Sequence, residues 1–288
     1  MRQTLKLGFD EIGIGGSLTL SCVAREIKRL SPTMSIELYS YHPELFRGNP
    51  HIVSNNYFTD APCRNIHSPE MKEQSRDKHY NYYYCQDIGV EPADIHPEIY
   101  ISKNEIIMVR AKYDLPDKFL VLHAQPSNVK KEHGRTSRWT TTKDWYLDRW
   151  EEVVRNSKSP VYQLRTEDEP YVHGCIDSVG TTVREACTII SLSKMVLCCV
   201  SYSMHVAAAT KTPAVVVYGG REYPVQTGYP TRHIQVWAPI DCGPCYRVDD
   251  CKQDMLCMDR IRPEHVVGAM NRIIEGPDGN RTGIITVR

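Results

Sequence analysis

Four cysteines lie close together near the C-terminus. Cys242, Cys245, Cys251 and Cys257 follow C-x2-C-x5-C-x5-C in CGPCYRVDDCKQDMLC. Thiolates are soft ligands, and four of them with a paired first knuckle suit tetrahedral zinc or an iron site. Four unligated thiols, or two disulfides formed on oxidation, remain open from the spacing alone. A second group has different chemistry. In SYSMHVAAATKTPAVVVYGG, Ser201 to Gly220, hydroxyls and His205 open a small-residue helix pattern, and Gly219 and Gly220 close a β-branched run. A helix start presents unpaired backbone N–H groups, so a diphosphate could rest on residues 201–205 while the glycines let the backbone approach. The same residues also read as an ordinary N-cap, Ser203, with a satisfied helix histidine.

Elements must hold these groups, and the chain supplies an alternating series. TLKLGF reads as a strand that runs into the glycine-rich DEIGIGG. From Ser17, placed as the cap, SLTLSCVAREIKRL shows helical recurrence, and SIELYS reads as a second strand. Strand, loop, helix and strand in this order imply a parallel sheet. The stretch from about 46 to 96, with HYNYYYCQDIG in it, lacks a clean pattern and reads as loops facing a ligand. A helix in SKNEIIMVRAKYDLP ends at a proline, and the strand KFLVLHA follows. Beyond it the pattern predicts helices over 141–156, 181–192 and 203–210, strands over 161–164, 195–200 and 214–218, and a last helix in PEHVVGAMNRIIEG. Two tandem α/β domains result, 1–115 and 116–288.

With 288 residues, each half can bury a core. Apolar residues make up 41% and charged residues 24%, which excludes a largely disordered chain. Lys plus Arg and Asp plus Glu are both 35, so no overall field favours a polyanion. HYNYYYC could stack on bases, but one short aromatic cluster at zero net charge argues against nucleic acid; it could equally line a sugar groove or pack as core. The start shows no secretory signal, and no window approaches the roughly 18 uninterrupted apolar residues of a membrane span, so the chain reads as cytoplasmic. The other seven cysteines, Cys198 and Cys199 in MVLCCV among them, read as small core residues.

Several segments resemble glycosyltransferase family 9, the bacterial ADP-heptose:lipopolysaccharide heptosyltransferases. SYSMHVAAATKTPAVVVYGGREYP is similar to the donor segment at Ser201, Met204, His205, Ala207 to Ala209, Thr212, Pro213 and Gly219. It departs at Val200, where the family usually has Asp, at Tyr202 for glycine and at Gly220 for proline. GGSLTLSCVAREIKRLSP resembles the family's first loop and helix, ELFRGNPHIV the segment after its second strand, and CMDRIRPEHVVGAM its ending. TTKDWYLDRWEEVV resembles the stretch in which a lysine before a tryptophan contacts the donor phosphate, here Lys143 and Trp145.

The resemblance implies a GT-B fold: two Rossmann-like domains facing a cleft, the N-terminal one for the acceptor and the C-terminal one for the nucleotide sugar. It implies a sugar, a heptose, moved from an ADP-heptose-like nucleotide diphosphate to a hydroxyl of a glycan or protein, without a catalytic metal. Donor contacts fall on Lys143, Ser201, Ser203, Met204, His205, Gly219 and Gly220, and acceptor contacts on Gly13, Gly15 and Gly16. The family's general base, an aspartate after a glycine, aligns with Gly16, so Asp10 and Glu11 are the candidates for that role. A cysteine group in relatives holds iron, which implies structural iron or zinc on Cys242, Cys245, Cys251 and Cys257. Two other readings stay open: a nucleotide-sugar-binding pseudoenzyme that has lost its base, and a metal-binding regulatory protein.

Overall fold

The computed structural model describes residues 3–9, 13–58, 62–66, 77–124, 141–247, 251–276 and 281–288. Asp10 and Glu11 lie outside them. The chain runs β1 (Thr4–Gly8), α1 (Ile14–Leu30), β2 (Ser35–Ser40), a 3-10 turn (Pro43–Phe46), β3 (Ser54–Tyr57), β4 (Arg64–Asn65), α2 (Tyr80–Asp87) and α3 (Lys103–Tyr113). It continues through β5 (Leu120–His123), α4 (Leu147–Arg155), β6 (Val161–Arg165), β7 (Ile176–Val179), α5 (Val183–Leu192), β8 (Met195–Cys199) and α6 (Tyr202–Thr210). Last come β9 (Ala214–Tyr218), α7 (Pro224–Thr227), β10 (His233–Trp237), α8 (Leu256–Arg260), α9 (Pro263–Glu275) and β11 (Gly283–Thr286).

Two parallel sheets result. The smaller has the order β3-β2-β1-β4, and the larger β11-β10-β9-β8-β5-β6-β7. In the smaller sheet β2 alternates buried and half-buried residues, with Ile36, Leu38 and Ser40 inward, as expected of a strand whose two faces differ in cover. In the larger sheet β8 and β9 are buried at every residue, the signature of a sheet covered on both faces. One apolar core, with Trp145, Trp150 and Met270, fills the face under α4 and α9. The other runs without a break from Val196 and Val216 through α5 and α6 to α1 and the smaller sheet at Leu7 and Leu38. Helices α1 and α6 are packed directly on each other, as are α3 and α5. The sequence boundary near Leu115 falls in the link between α3 and β5.

Two helix starts differ from the sequence expectation. Helix α1 begins at Ile14 with Gly13 as its N-cap, so Gly15 and Gly16 form its first turn and Ser17 is buried inside it. Ser17 N–H donates to Gly13 O at 3.0 Å, so the helical ladder already runs through the glycines, and their lack of a Cβ admits close packing: a Cβ on Gly15 would stand 2.8 Å from Cδ2 of His205. The helix expected from 141 begins at Leu147. Residues 141–144 instead form a turn closed by Asp144, whose Oδ2 accepts from the Thr141 N–H at 3.0 Å. A side-chain acceptor that satisfies a nearby amide competes with the helical bond. The irregular 46–96 stretch contains α2, capped by His79 Nδ1, which accepts from the Asn81 N–H at 3.1 Å.

Candidate functional site

In the larger sheet the chain moves outward from β5 to β6 and β7, then returns to place β8 on the other side of β5. The crevice at the carboxyl ends of β5 and β8 is therefore a topological switch point, where parallel sheets collect ligands. His123 ends β5, and Ser201 follows β8. Their Nδ1 and Oγ atoms are 3.2 Å apart. Ser201 is the N-cap of α6 and makes no side-chain cap bond, so the first-turn amides, apart from Met204 N–H, which donates to Ser201 O at 3.2 Å, take no bond from the cap.

A cleft of about 1100 Å³ extends from this point. One wall is Gly13, Gly15, Gly16, His42, His79 and Tyr80 from the smaller sheet's side; the other is His123, Lys143, Ser201, His205 and Glu222. Of the expected donor residues, Lys143, Ser201 and His205 line it, together with the three expected acceptor-side glycines. Ser203 and Met204 are fully buried and do not line it, and Met204 Sδ accepts from the Tyr218 hydroxyl at 3.1 Å. Gly219 packs on Met258, and Gly220 lines a different cavity.

Charge in the cleft is held in an ion pair. Lys143 Nζ stands 2.5 Å from Glu222 Oε1. Burial raises the Glu222 carboxyl, but the adjacent Lys143 charge and hydrogen bond bring it below its ordinary value. Three imidazoles here, His205, His123 and His79, are held neutral at pH 7. Burial, then the Lys143 charge, lowers His205 to about 4, and burial lowers His123 to about 4 and His79 to about 3. His205 Nδ1 lies 2.8 Å from the Tyr229 hydroxyl, which fixes the ring. Such a site offers helix amides, a neutral imidazole and a lysine to a ligand anion.

The four cysteines line one second cavity of about 300 Å³, together with Gly220 and Arg221. Cys251 Sγ accepts from the Met255 N–H at 3.3 Å; burial pushes the Cys257 thiol up, and hydrogen bonds from the Gly220 and Met258 amides only partly oppose it. Among the described residues no group of three or more His, Cys, Asp or Glu side chains is disposed to hold a metal ion. This cavity adjoins the cleft through the backbone: Cys245 N–H donates to Gly220 O at 2.9 Å and Tyr246 N–H to Arg221 O at 3.0 Å. The turn carrying Lys143 is tied to the same loop, since Thr142 Oγ1 donates to Arg247 O. Trp145 Nε1 then anchors it to Met258 O and Ile261 O.

Sequence reasoning missed His42, His123 and Glu222, whereas HYNYYYC, read as able to line a sugar groove or pack as core, brings His79, Tyr80 and Tyr84 to the cleft. His123 had a signal, a polar residue at the carboxyl end of an otherwise apolar strand. Glu222 had a weaker one, its place two residues past the glycine that ends β9. His42 had none, because only the tertiary fold brings the loop after β2 to the cleft.

No family model matches the sequence, and no curated protein matches it. Solved structures do match. E. coli ADP-heptose LPS heptosyltransferase II superposes with a TM-score of 0.70 at 12% identity, over 93% of this chain and 97% of that one. The glycosyl transferase family 9 structure from Veillonella parvula DSM 2008 gives 0.67 at 12%, over 92% and 95%. TibC, the dodecameric iron-containing heptosyltransferase of enterotoxigenic E. coli H10407, in complex with ADP-D-β-D-heptose, gives 0.67 at 15%, over 94% and 76%. The chain therefore has the two-sheet, GT-B-like α/β fold of these glycosyltransferases. Among the described residues no helix is long and apolar enough to cross a membrane.

Proposed function

We propose that the chain is a glycosyltransferase that moves a sugar from a nucleoside diphosphate to an acceptor hydroxyl, with an ADP-heptose-like donor. The observation that carries this is the switch point, where His123, Ser201, the α6 N-terminus and His205 converge on a cleft that also takes in the glycine start of α1, packed against His205. The likeness to structures of heptosyltransferases, one with ADP-heptose bound, supports the donor class.

In the reaction the bond between the anomeric carbon and the donor's phosphate oxygen breaks, and negative charge develops on the departing diphosphate. The α6 amides, the His205 imidazole and Lys143 would stabilise that charge where it grows. The acceptor hydroxyl loses its proton as it attacks, to Asp10 or Glu11 by the sequence expectation. By the resemblance no catalytic metal is needed, and the α6 amides with Lys143 would take its role.

The cysteine cluster is read as a structural iron or zinc site. The reading rests on ligand type and spacing, four sulfurs lining one cavity, and not on geometry, since among the described residues no three of them are disposed around a metal in this structure. Cys242, Cys245, Cys251 and Cys257 would hold the metal, which would brace the loop behind Gly220 and the turn bearing Lys143. Reduced thiolates accord with the expected cytoplasmic location.

Thermal-shift titration with nucleoside diphosphates and nucleotide sugars tests the donor reading. ADP is expected to raise the melting temperature, because a ligand that binds only the folded state stabilises it. If none of these compounds shifts the transition, the reading fails. A second reading, a binding protein without transfer, is favoured by Gly16 standing where the resemblance places the base. Binding of ADP-heptose without release of ADP in the presence of candidate acceptors would select it.

A further inference from the structure

The cleft holds a group that a simple anion site would omit. Glu222 is 6% exposed, lies 2.5 Å from Lys143 and lines the same cleft as the α6 N-terminus. A carboxylate beside the lysine that is to meet a diphosphate repels the ligand, and in a buried site that repulsion is poorly screened. Deleting either partner of a buried pair leaves an uncompensated charge, so the pair is favourable only while it stays closed or while each member finds a new partner. The site offers both replacements. A diphosphate would partner Lys143, and Arg221, adjacent in the chain, lines the cleft and already attracts the Glu222 carboxylate.

We propose that Glu222 is a positioning residue for Lys143, whose carboxylate holds the ammonium until a diphosphate takes its place. This rests on reading the cleft as a nucleoside-diphosphate site, and it adds selectivity to that reading. A ligand without phosphate cannot replace the carboxylate and leaves the pair closed. A monophosphate replaces it with less charge than a diphosphate. Discrimination thus comes from the competing carboxylate as well as from the attractive contacts.

Titration calorimetry with ADP, AMP and adenosine on the wild type, Glu222→Gln, Lys143→Met and the double variant tests it. Glu222→Gln is expected to bind ADP about tenfold tighter, an effect of the size that a nearby unit charge produces. AMP should gain less and adenosine nothing, and in the Lys143→Met background the gain should shrink to the part that comes from direct repulsion, a gain as large as in the wild type counting against the proposal. A merely structural Glu222 would change all three ligands alike, and that result overturns the proposal. So does unchanged or weaker ADP binding by Glu222→Gln. If that variant does not fold, Glu222→Asp, with its shorter reach to Lys143, takes its place. Glu222→Asp should also tighten ADP, and its failure to do so is equally decisive against the proposal. Should ADP bind neither the folded wild type nor the variants, the donor-site reading itself falls, an outcome distinct from binding without selectivity.

Discussion

Gly15 shows how one missing carbon shapes the cleft. Alanine in a helix is favoured over glycine by about 1 kcal/mol, but at Gly15 the added Cβ would stand 2.8 Å from a His205 ring whose Nδ1 contacts Tyr229. Overpacking of this kind costs about 1–3 kcal/mol, so strain outweighs propensity. Gly15→Ala is expected to lower stability by about 1 kcal/mol and to weaken ADP binding by displacing His205. Gly268 in α9 meets nothing within 4 Å, so Gly268→Ala should raise stability by about 0.5–1 kcal/mol and leave ADP binding alone. Chemical denaturation of both variants, with ADP titration, checks the contrast.

Among the elements, the turn before α4 and the cysteine loop act as a unit. Arg149 donates through Nη1 to Met258 O, Asp259 O and Ile261 O, and through Nη2 to Asp259 Oδ1 at 2.6 Å. That clamp fixes α8 immediately after Cys257, and the Thr142 and Trp145 bonds hold the Lys143 turn to the same assembly. On the metal reading, purified protein should carry about one iron or zinc, and removing it with a chelator should lower both the melting temperature and the ADP affinity. Elemental analysis showing under about 0.1 equivalent would reject the site. Much of this scale was legible in the sequence. The strands and helices around α5, α6, β8 and β9 have strong apolar periodicity, and their boundaries follow within a residue or two. The Lys143 turn was not legible, because Thr141 and Asp144 divert a stretch with good helical pattern by local side-chain bonds. The glycine start of α1 is hidden in the sequence because Ser17 looks like a cap, while its N–H in fact donates to Gly13 O inside a helix already begun. Glu222 could not be tied to Lys143 from sequence, since 79 positions separate them and no periodicity links a loop to a turn.

Across the whole molecule, buried imidazoles join the two sheets' surroundings. Tyr229 is fully buried and its ring is flanked by His79, His96, His205 and His233, with ring centres 4.8, 5.5, 5.7 and 5.7 Å away. Burial first, then the neighbouring imidazoles, lowers His233 to about 3, and His79, His123 and His205 are lowered to about 3, 4 and 4. Each binds a proton in the unfolded chain at about 6.5 and in the folded chain only near 3–4. Between those values the unfolded state holds more protons, so stability is fully present above about pH 6.5 and is lost as pH falls toward 4. Each such histidine contributes a slope of about 1.4 kcal/mol per pH unit in that window. Urea melts at about pH 5, 6 and 7 check this, and a flat profile would remove the buried-neutral assignment. Carboxylates such as Glu185, held down at about 2 by Lys112 and the Thr182 cap against the opposing effect of burial, act at lower pH and do not obscure the window.

The unbroken apolar core from Val216 through α6 and α1 to Leu38 limits how the molecule can breathe. Swinging the halves apart would expose that core to water along the whole α1–α6 contact, at a cost set by its area. On the donor-site reading, ligand exchange is then expected to go by local rearrangement rather than hinge bending, and the two halves should melt in a single cooperative step instead of one after the other.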